Sequence, residues 1–472
     1  GSTARINGQR SLSAKRLAGR PRLPHNPIMS ALTTIFALST APGRAAIAVI
    51  RISGPAAGTA LRQLTGQTPP PRHAVLATLR HPTTRQALDQ ALVLYFAGPA
   101  SETGEDIVEL QVHGGRAVVR AVLDALGTVP GCRPAEPGEF AHRAFVNGKL
   151  DLTAAEGLAD LIDAETEAQR QQAITLAAGH LAILYDGWRS RLIECQALVE
   201  SAIDFSDEGD VSDGAVQAAT ERATALRSTI QAHLDGAERG EIIRDGFRVV
   251  IAGPPNAGKS TLLNALARRD AAIVSEEAGT TRDAIEVHLD LAGLPVVVTD
   301  TAGIRAADGA IEREGIRRTY ERARSANLII WLTDMAEPLP PPPELAPAGT
   351  PVLTVANKAD RGLAGEIAPT DTDLRISAKT MDGLDALSER LISEAQRRIG
   401  DGQDLVPTSV RQAFHLRTAV EHLDKYLSSS SEDIELRAED LRLAGDSLGR
   451  LTGRIDAEDV LDQIFSRFCI GK

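Results

Sequence analysis

The sequence predicts a multidomain α+β and α/β protein: a mixed N-terminal domain, then an all-α helical domain interrupted by an α/β insertion. Three observations predict it. Apolar residues alternate with period two in the first third of the chain, as half-buried strands require. They then recur at helical spacing through Leu158, Leu161, Ile162, Ala173, Ile174 and Ala177. Between two such helical stretches, Arg248-Val-Val-Ile-Ala252 leads through Gly253-Pro-Pro-Asn256-Ala257-Gly258-Lys259-Ser260 into Thr261-Leu-Leu-Asn-Ala-Leu266, which is a strand, a glycine-rich loop and a helix.

The first 28 residues contain Lys15 and several arginines but no acid, and Met29 follows. We expect residues 1–30 to be a disordered or mis-called extension rather than an organellar transit peptide. Residues 31–149 form the N-terminal domain. In Ala46-Ile-Ala-Val-Ile-Arg51-Ile-Ser53 the alternation puts Arg51 on one face with Ile47 and Val49, and Ala48, Ile50 and Ile52 on the other. In Ile107-Val-Glu109-Leu-Gln111-Val-His113 it separates Glu109, Gln111 and His113 from Val108, Leu110 and Val112. That polar face is either a wet sheet side or a ligand surface, since Thr103-Gly-Glu-Asp106 and Gly114-Gly115 supply turns suited to close approach. Residues 150–244 and 399–472 are the two parts of the helical domain, and 245–398 is the insertion. Pro338 to Pro343 is an exposed loop before the strand Val352-Leu-Thr-Val355.

Five signatures in order make the insertion a Ras-like P-loop GTPase domain of the translation-factor kind. The loop of residues 253–260 turns successive N–H groups and a helix N-terminus toward a phosphate, with Lys259 neutralising charge and Ser260 placed to ligate Mg²⁺. Gly279-Thr280-Thr281-Arg-Asp283 offers a threonine that completes the Mg²⁺ shell when a γ-phosphate is present. Asp300-Thr301-Ala302-Gly303 ends the strand Val296-Val-Val-Thr299 and supplies a carboxylate and a glycine amide. In Asn357-Lys358-Ala359-Asp360 the aspartate accepts two hydrogen bonds from the guanine edge, which adenine does not offer. Ser377-Ala378-Lys379 closes the base pocket with a backbone N–H.

At 472 residues and 43% apolar composition the chain has material for about three domains, and no run approaches a membrane span. Cys132, Cys195 and Cys469 are odd in number and widely separated, which argues against a disulfide framework or a zinc site and fits a cytoplasmic protein. A net charge of −12 does not advertise nucleic-acid binding, so RNA contact needs a local basic patch or a partner's help.

Thr34-Ile-Phe-Ala-Leu-Ser-Thr-Ala-Pro42-Gly43-Arg44, Thr103-Gly-Glu-Asp with His113-Gly-Gly, Pro137-Gly-Glu-Phe with Asn147-Gly-Lys149-Leu-Asp-Leu152, and Phe468-Cys469-Ile-Gly-Lys472 go beyond the GTPase motifs. Together they resemble the bacterial tRNA-modification GTPase family MnmE (TrmE), over essentially everything after Met29. The resemblance implies a homodimer whose N-terminal domain binds a tetrahydrofolate derivative, 5-formyl or 5,10-methylene, through Arg51, Glu109, Lys149 and Lys472. It implies an FAD-containing partner of the MnmG type in a heterotetramer or larger complex. The implied reaction installs an aminomethyl-type group on carbon 5 of the wobble uridine of certain tRNAs, with no membrane involvement. It places Cys469 beside the folate as a possible thiol, although no neighbouring His or Cys activates it.

Ile304 stands where many GTPases carry a water-orienting glutamine, so another group must act. The resemblance assigns that role to Glu312. It also assigns K⁺ to Asn256 with oxygens at Ser275, Glu277 and Thr280, and extends the nucleotide-contacting segment over Ser275, Glu276, Glu277, Ala278, Gly279, Thr280 and Thr281. The competing reading is a switch GTPase of ribosome assembly, of the Era or Der kind, whose flanking domains bind RNA. An RNA-docking appendage should be basic; residues 31–149 carry 11 Lys and Arg against 8 Asp and Glu, so the folate-site residues of the N-terminal domain, and not its charge, distinguish the two readings.

Overall fold

The computed structural model describes residues 33–204, 209–269, 272–273, 286–300, 320–345, 349–361, 373–400, 404–429, 434–455, 461, 464–466, 468 and 470–471. The chain divides into two compact units, one running to Phe140 and including Ile470–Lys472, the other spanning Ala141–Cys469.

The first unit is a six-stranded sheet. Its strands are β1 (Thr34–Leu38), β2 (Ile47–Ser53), β3 (Val75–Arg80), β4 (Ala87–Phe96), β5 (Ile107–His113) and β6 (Cys132–Pro134), in the order β3-β4-β5-β2-β1-β6. Ala48, Ile50, Ile52, Val108, Leu110 and Val112 are buried on one face beneath α1 (Ala57–Thr65) and α2 (Arg116–Gly127), as the alternation requires. Arg51, Glu109, Gln111 and His113 lie on the opposite face. Phe140, in α3 (Glu139–Val146), packs with Ile35 and Ala37, so that face is roofed at one corner. Residues 470–471 join this unit and not the helices of the assigned 399–472 segment: Pro137 and Ile470 form an antiparallel bridge, and Ser39 Oγ donates to Gly471 O at 2.9 Å.

The second unit holds the helices and the α/β insertion. Helices α4 (Leu152–Asp163) and α5 (Glu167–Ala177) pair closely, and α4 also takes Ile464, Phe465 and Phe468 into a small apolar cluster. Asp151 caps α4 by accepting from the Thr153 and Ala154 N–H groups, while Thr166 and Gln169 form a capping box on α5. Helices α6 (His180–Asp204), α7 (Gly209–Leu234), α11 (Val410–Ser428) and α12 (Ile434–Thr452) make a bundle around Tyr185, Leu192, Leu226, Leu416, Leu423 and Leu441.

Helix α8 (Ala237–Asp245) leads into the insertion. There β7 (Phe247–Ala252), β10 (Leu294–Asp300), β11 (Leu328–Asp334), β12 (Val352–Asn357) and β13 (Leu374–Arg375) run parallel, and β9 (Glu286–Leu291) and β8 (Ala272–Ile273) add antiparallel pairings. The order is β13-β12-β11-β7-β10-β9-β8. Helices α9 (Lys259–Arg269) and α10 (Leu384–Ile399) bury Leu262, Leu266, Leu387 and Leu391 against Val249, Ile251, Val298 and Ile330. The carboxyl ends of β7, β10, β12 and β13 therefore gather the four signatures with described residues at one edge, where an open α/β sheet holds its ligand.

Candidate nucleotide site

The phosphate loop follows directly from β7. Gly253 has φ 152°, and a Cβ there would sit 2.1 Å from Leu332 O. Gly258 has φ 99°, and its Cβ would lie 2.4 Å from Asn357 Nδ2. Neither place admits a side chain, and both let the backbone turn its N–H groups inward. Between them Asn256 adopts φ 63°, a left-handed conformation that asparagine tolerates. Ala257 is buried in the α/β core and anchors the loop from below.

Lys259 opens α9 and donates from Nζ to Gly253 O and Pro254 O, both at 2.9 Å. Burial pulls its pKa below the ordinary lysine value and the Asp300 carboxylate opposes that. Ser260 Oγ donates to Asp300 Oδ2 at 2.6 Å, across the parallel β7–β10 pair that aligns Asp300 with Ile251. A hydroxyl and a carboxylate side by side at the phosphate loop are the hard-oxygen set that suits Mg²⁺.

The base side is built from β12 and the segment after β13. Asn357 is buried; its Nδ2 donates to Ala257 O at 2.8 Å and its Oδ1 accepts from the Ala378 N–H at 3.0 Å. One amide thus fastens the phosphate loop to the Ser377–Lys379 segment. Lys358 turns back at φ 67° and donates to Asp334 Oδ2 at 2.7 Å, with Asp334, at the end of β11, held below its ordinary pKa although its partial burial works the other way. Asp360 sits exposed on the short 3₁₀ turn Ala359–Arg361, and Ser377 Oγ donates to its Oδ1 at 2.7 Å. That bond is the main cause of its lowered pKa and keeps the carboxylate ionised, as an acceptor for the guanine edge must be.

Of the residues assigned from sequence, Asn256, Ala257, Gly258, Lys259, Ser260, Thr261, Asp300, Asn357, Lys358, Ala359, Asp360, Ser377, Ala378 and Lys379 are described and lie on these loops, on strand ends or in the first turn of α9. Ser275, Glu276, Glu277, Ala278, Gly279, Thr280, Thr281, Thr301, Ala302, Gly303 and Glu312 lie outside the described residues, as do Cys469 and Lys472. The bracing role of Asn357 and the Asp334 partner of Lys358 escape sequence reasoning. Asp334 ends an apolar strand with a single acid, a weak signal that only the fold connects to the lysine.

On the N-terminal sheet, Arg51 and Glu109 are direct cross-strand partners in the β2–β5 register. Arg51 Nη2 lies 3.1 Å from Glu109 Oε1, and Nη1 lies 3.0 Å from Glu102 Oε2, a partner the sequence did not suggest. The Arg51 guanidinium stands 6.0 Å from the Phe140 ring centroid. The partly buried Arg51 charge is therefore paired across the sheet by Glu109 and from the turn before β5 by Glu102. The Thr103-Gly-Glu-Asp turn is likewise tied down by its own chain. Ser53 Oγ contacts Thr103 Oγ1 and Glu105 Oε2, each at 2.7 Å, and Asp106 accepts from Tyr95 OH at 2.8 Å and the Gly98 N–H at 2.9 Å. Lys149 is exposed in the other unit.

Comparison with known proteins agrees with both ends of this description. Residues 34–149 match the family model described as "GTP-binding protein TrmE N-terminus", and residues 152–469 match "MnmE helical domain". The chain is 53% identical over 444 residues to the tRNA modification GTPase MnmE of Methylorubrum populi, covering 93% of this chain and 98% of that protein. It is 49% identical to the protein of the same name from Methylobacterium radiotolerans, covering 94% of this chain and 100% of the relative. With that from Parvibaculum lavamentivorans the identity is 51%, over 93% of this chain and 100% of the relative. A phosphate loop, an ionised aspartate at the base pocket and end-to-end similarity at this level all lead to one placement: the chain belongs to the MnmE family of tRNA modification GTPases.

Proposed function

We propose that this chain hydrolyses GTP to drive modification of carbon 5 of the wobble uridine in certain tRNAs, using a one-carbon unit from a tetrahydrofolate and acting with an FAD-containing partner. The observation that carries the nucleotide half is the joint geometry of Gly258, Asn357 and Asp360, in which a phosphate loop and a guanine-reading carboxylate are tied together by one buried amide. The family placement supports the tRNA half and does not favour the ribosome-assembly alternative.

In this reading the loop N–H groups and Lys259 hold the β- and γ-phosphates, and Asp360 fixes the base. Ser260 and Thr281 would hold Mg²⁺, with Asp300 hydrogen-bonded to the Ser260 hydroxyl behind them, and the ion when bound neutralises charge developing on the phosphate oxygens. Asn256, with oxygens at Ser275, Glu277 and Thr280, is proposed to hold K⁺, and Glu312 to orient the attacking water in place of a glutamine. Arg51, Glu109, Lys149 and Lys472 are proposed to hold the folate in a homodimer, with Arg51 and Glu109 presenting a ready-made cross-strand ion pair.

The test compares initial GTPase rates in KCl and NaCl for the wild type, Asn256→Ala and Glu312→Ala. We expect a rate at least about tenfold higher in K⁺ for the wild type, loss of that stimulation in Asn256→Ala with nucleotide still bound, and loss of most hydrolysis in Glu312→Ala. Equal wild-type rates in the two salts would remove the potassium assignment, and full activity in Glu312→Ala would remove the glutamate.

A further inference from the structure

The β9–β10 hairpin connects two of the γ-phosphate-sensing signatures along the chain, since Gly279–Asp283 precede β9 and Asp300 ends β10. Strand β9 pairs with β10 over its full length, and among the described residues its outer edge pairs with the two-residue β8. Such a strand holds its place better if something outside the sheet braces it.

Residues 165–169, at the start of α5, meet the hairpin and its base at three points. The Ala168 N–H, a first-turn helix donor, gives its hydrogen bond to Gly293 O in the hairpin turn at 3.0 Å. Glu165 Oε2 lies 3.5 Å from His288 Nδ1 on β9. Gln169 Oε1 accepts from the Thr166 N–H while its Nε2 donates at 3.0 Å to Arg244 O, just ahead of β7. A cavity of about 730 Å³ lies in this joint, lined by Glu165, Gln169, Arg244, Arg248 and His288 among others. The joint is made of individual polar contacts around this open space, with Ala168 adding a methyl to the α/β core.

We propose that Glu165 and its partner His288 are positioning residues of the GTPase: through this contact the helical segment holds the β9–β10 hairpin so that both signatures at its ends meet the γ-phosphate in register. The proposal rests on the reading of this chain as a GTP hydrolase. A strand end displaced by a fraction of an ångström misplaces catalytic oxygens and lowers turnover without weakening the grip on the rest of the nucleotide.

The experiment uses the full chain in K⁺ and Mg²⁺. Glu165→Ala and His288→Ala should each lower kcat by about threefold to tenfold, with the double variant no worse than either single, and KM for GTP and the melting temperature little changed. A Cβ on residue 293 would lie 3.5 Å from that of Glu167, inside the range of a disulfide. Adding Glu167→Cys and Gly293→Cys to the Glu165→Ala variant should therefore restore kcat on oxidation and lose it again on reduction. The same cysteine pair without Glu165→Ala is the reference, because Gly293 has φ 84°. Wild-type kcat in both single variants, or low kcat in a protein whose thiol count shows the disulfide formed, would overturn the brace while leaving the GTPase reading intact. A wild-type chain that does not hydrolyse GTP would overturn both.

Discussion

The Asn357 carboxamide is used at both ends, on Ala257 O and on the Ala378 N–H, and it is buried. Cutting it to alanine leaves a carbonyl and an N–H without their partner, so Asn357→Ala should weaken GTP and GDP alike by about tenfold to a hundredfold, read by calorimetry. Asp360 behaves differently because it is exposed and, in the proposed reading, accepts directly from the base. Asp360→Asn should lower GTP affinity by about a hundredfold or more and raise that for xanthosine triphosphate, whose carbonyl complements the new amide. Unchanged preference between the two nucleotides would refute the assignment. On the N-terminal sheet, Arg51→Ala and Glu109→Ala should each abolish calorimetric binding of a formyl-tetrahydrofolate and leave GTP turnover near wild type. Wild-type folate affinity in both would return the pair to a purely structural cross-strand contact. Alternation along each strand made the faces of Arg51 and Glu109 legible. That the two residues oppose each other was not, because register between strands separated by other elements is set by pairing the local sequence does not encode.

At the scale of elements, the α6–α7 contact carries a titratable group that makes the bundle sensitive to acid. His233 near the end of α7 faces Tyr185 OH at 3.1 Å and stands edge-on to Trp188 with ring centroids 5.1 Å apart. Burial lowers its pKa from the ordinary 6.5 to about 4. A folded pKa below the unfolded one means that the unfolded chain takes up the proton first as pH falls. The stability is therefore intact above about 6.5 and is lost progressively toward about 4. His415 on α11 shifts in the same direction, through burial and then the Arg411 and Arg450 charges. His233→Gln should flatten the fall in melting temperature over that range by about half, since His415 remains. An unchanged slope would show that the ring takes up its proton equally in the folded and unfolded chain. The helices themselves are plain in the sequence, but their destinations are not. Leu387 and Leu391 have the same spacing as residues of the bundle, yet they pack on the α/β sheet while Leu423 and Leu441 pack in the bundle. Periodicity shows that a face is apolar and says nothing of which core receives it.

At the scale of the molecule, distant parts of the second unit are joined by a charged lock. Glu156 on α4 accepts from Arg411 Nε at 2.8 Å and Nη2 at 3.0 Å and from Gln412 Nε2 at 2.6 Å, across 255 residues of sequence to Arg411. Burial alone would raise the Glu156 pKa, and Arg411 outweighs it to hold the carboxylate ionised. Arg244 beside it reaches Asp160 at 3.2 Å. Removing one partner strands the other charge, so Glu156→Ala should cost about 3–5 kcal/mol of unfolding free energy, and Glu156→Met with Arg411→Met should recover most of it. Chemical denaturation of the two variants checks the pair. The sequence shows these residues only as scattered charges on helix surfaces. The return of Gly471 to Ser39 in the first unit has a consequence in time. The two residues are 432 positions apart, and at ~5–20 residues per second a ribosome needs roughly 20–90 s to travel between them. The N-terminal sheet must wait through synthesis of the whole bundle and the whole α/β insertion for its last contacts. During that interval the first unit lacks the Pro137–Ile470 bridge and the Ser39–Gly471 hydrogen bond, and a chain stalled before residue 470 never makes them.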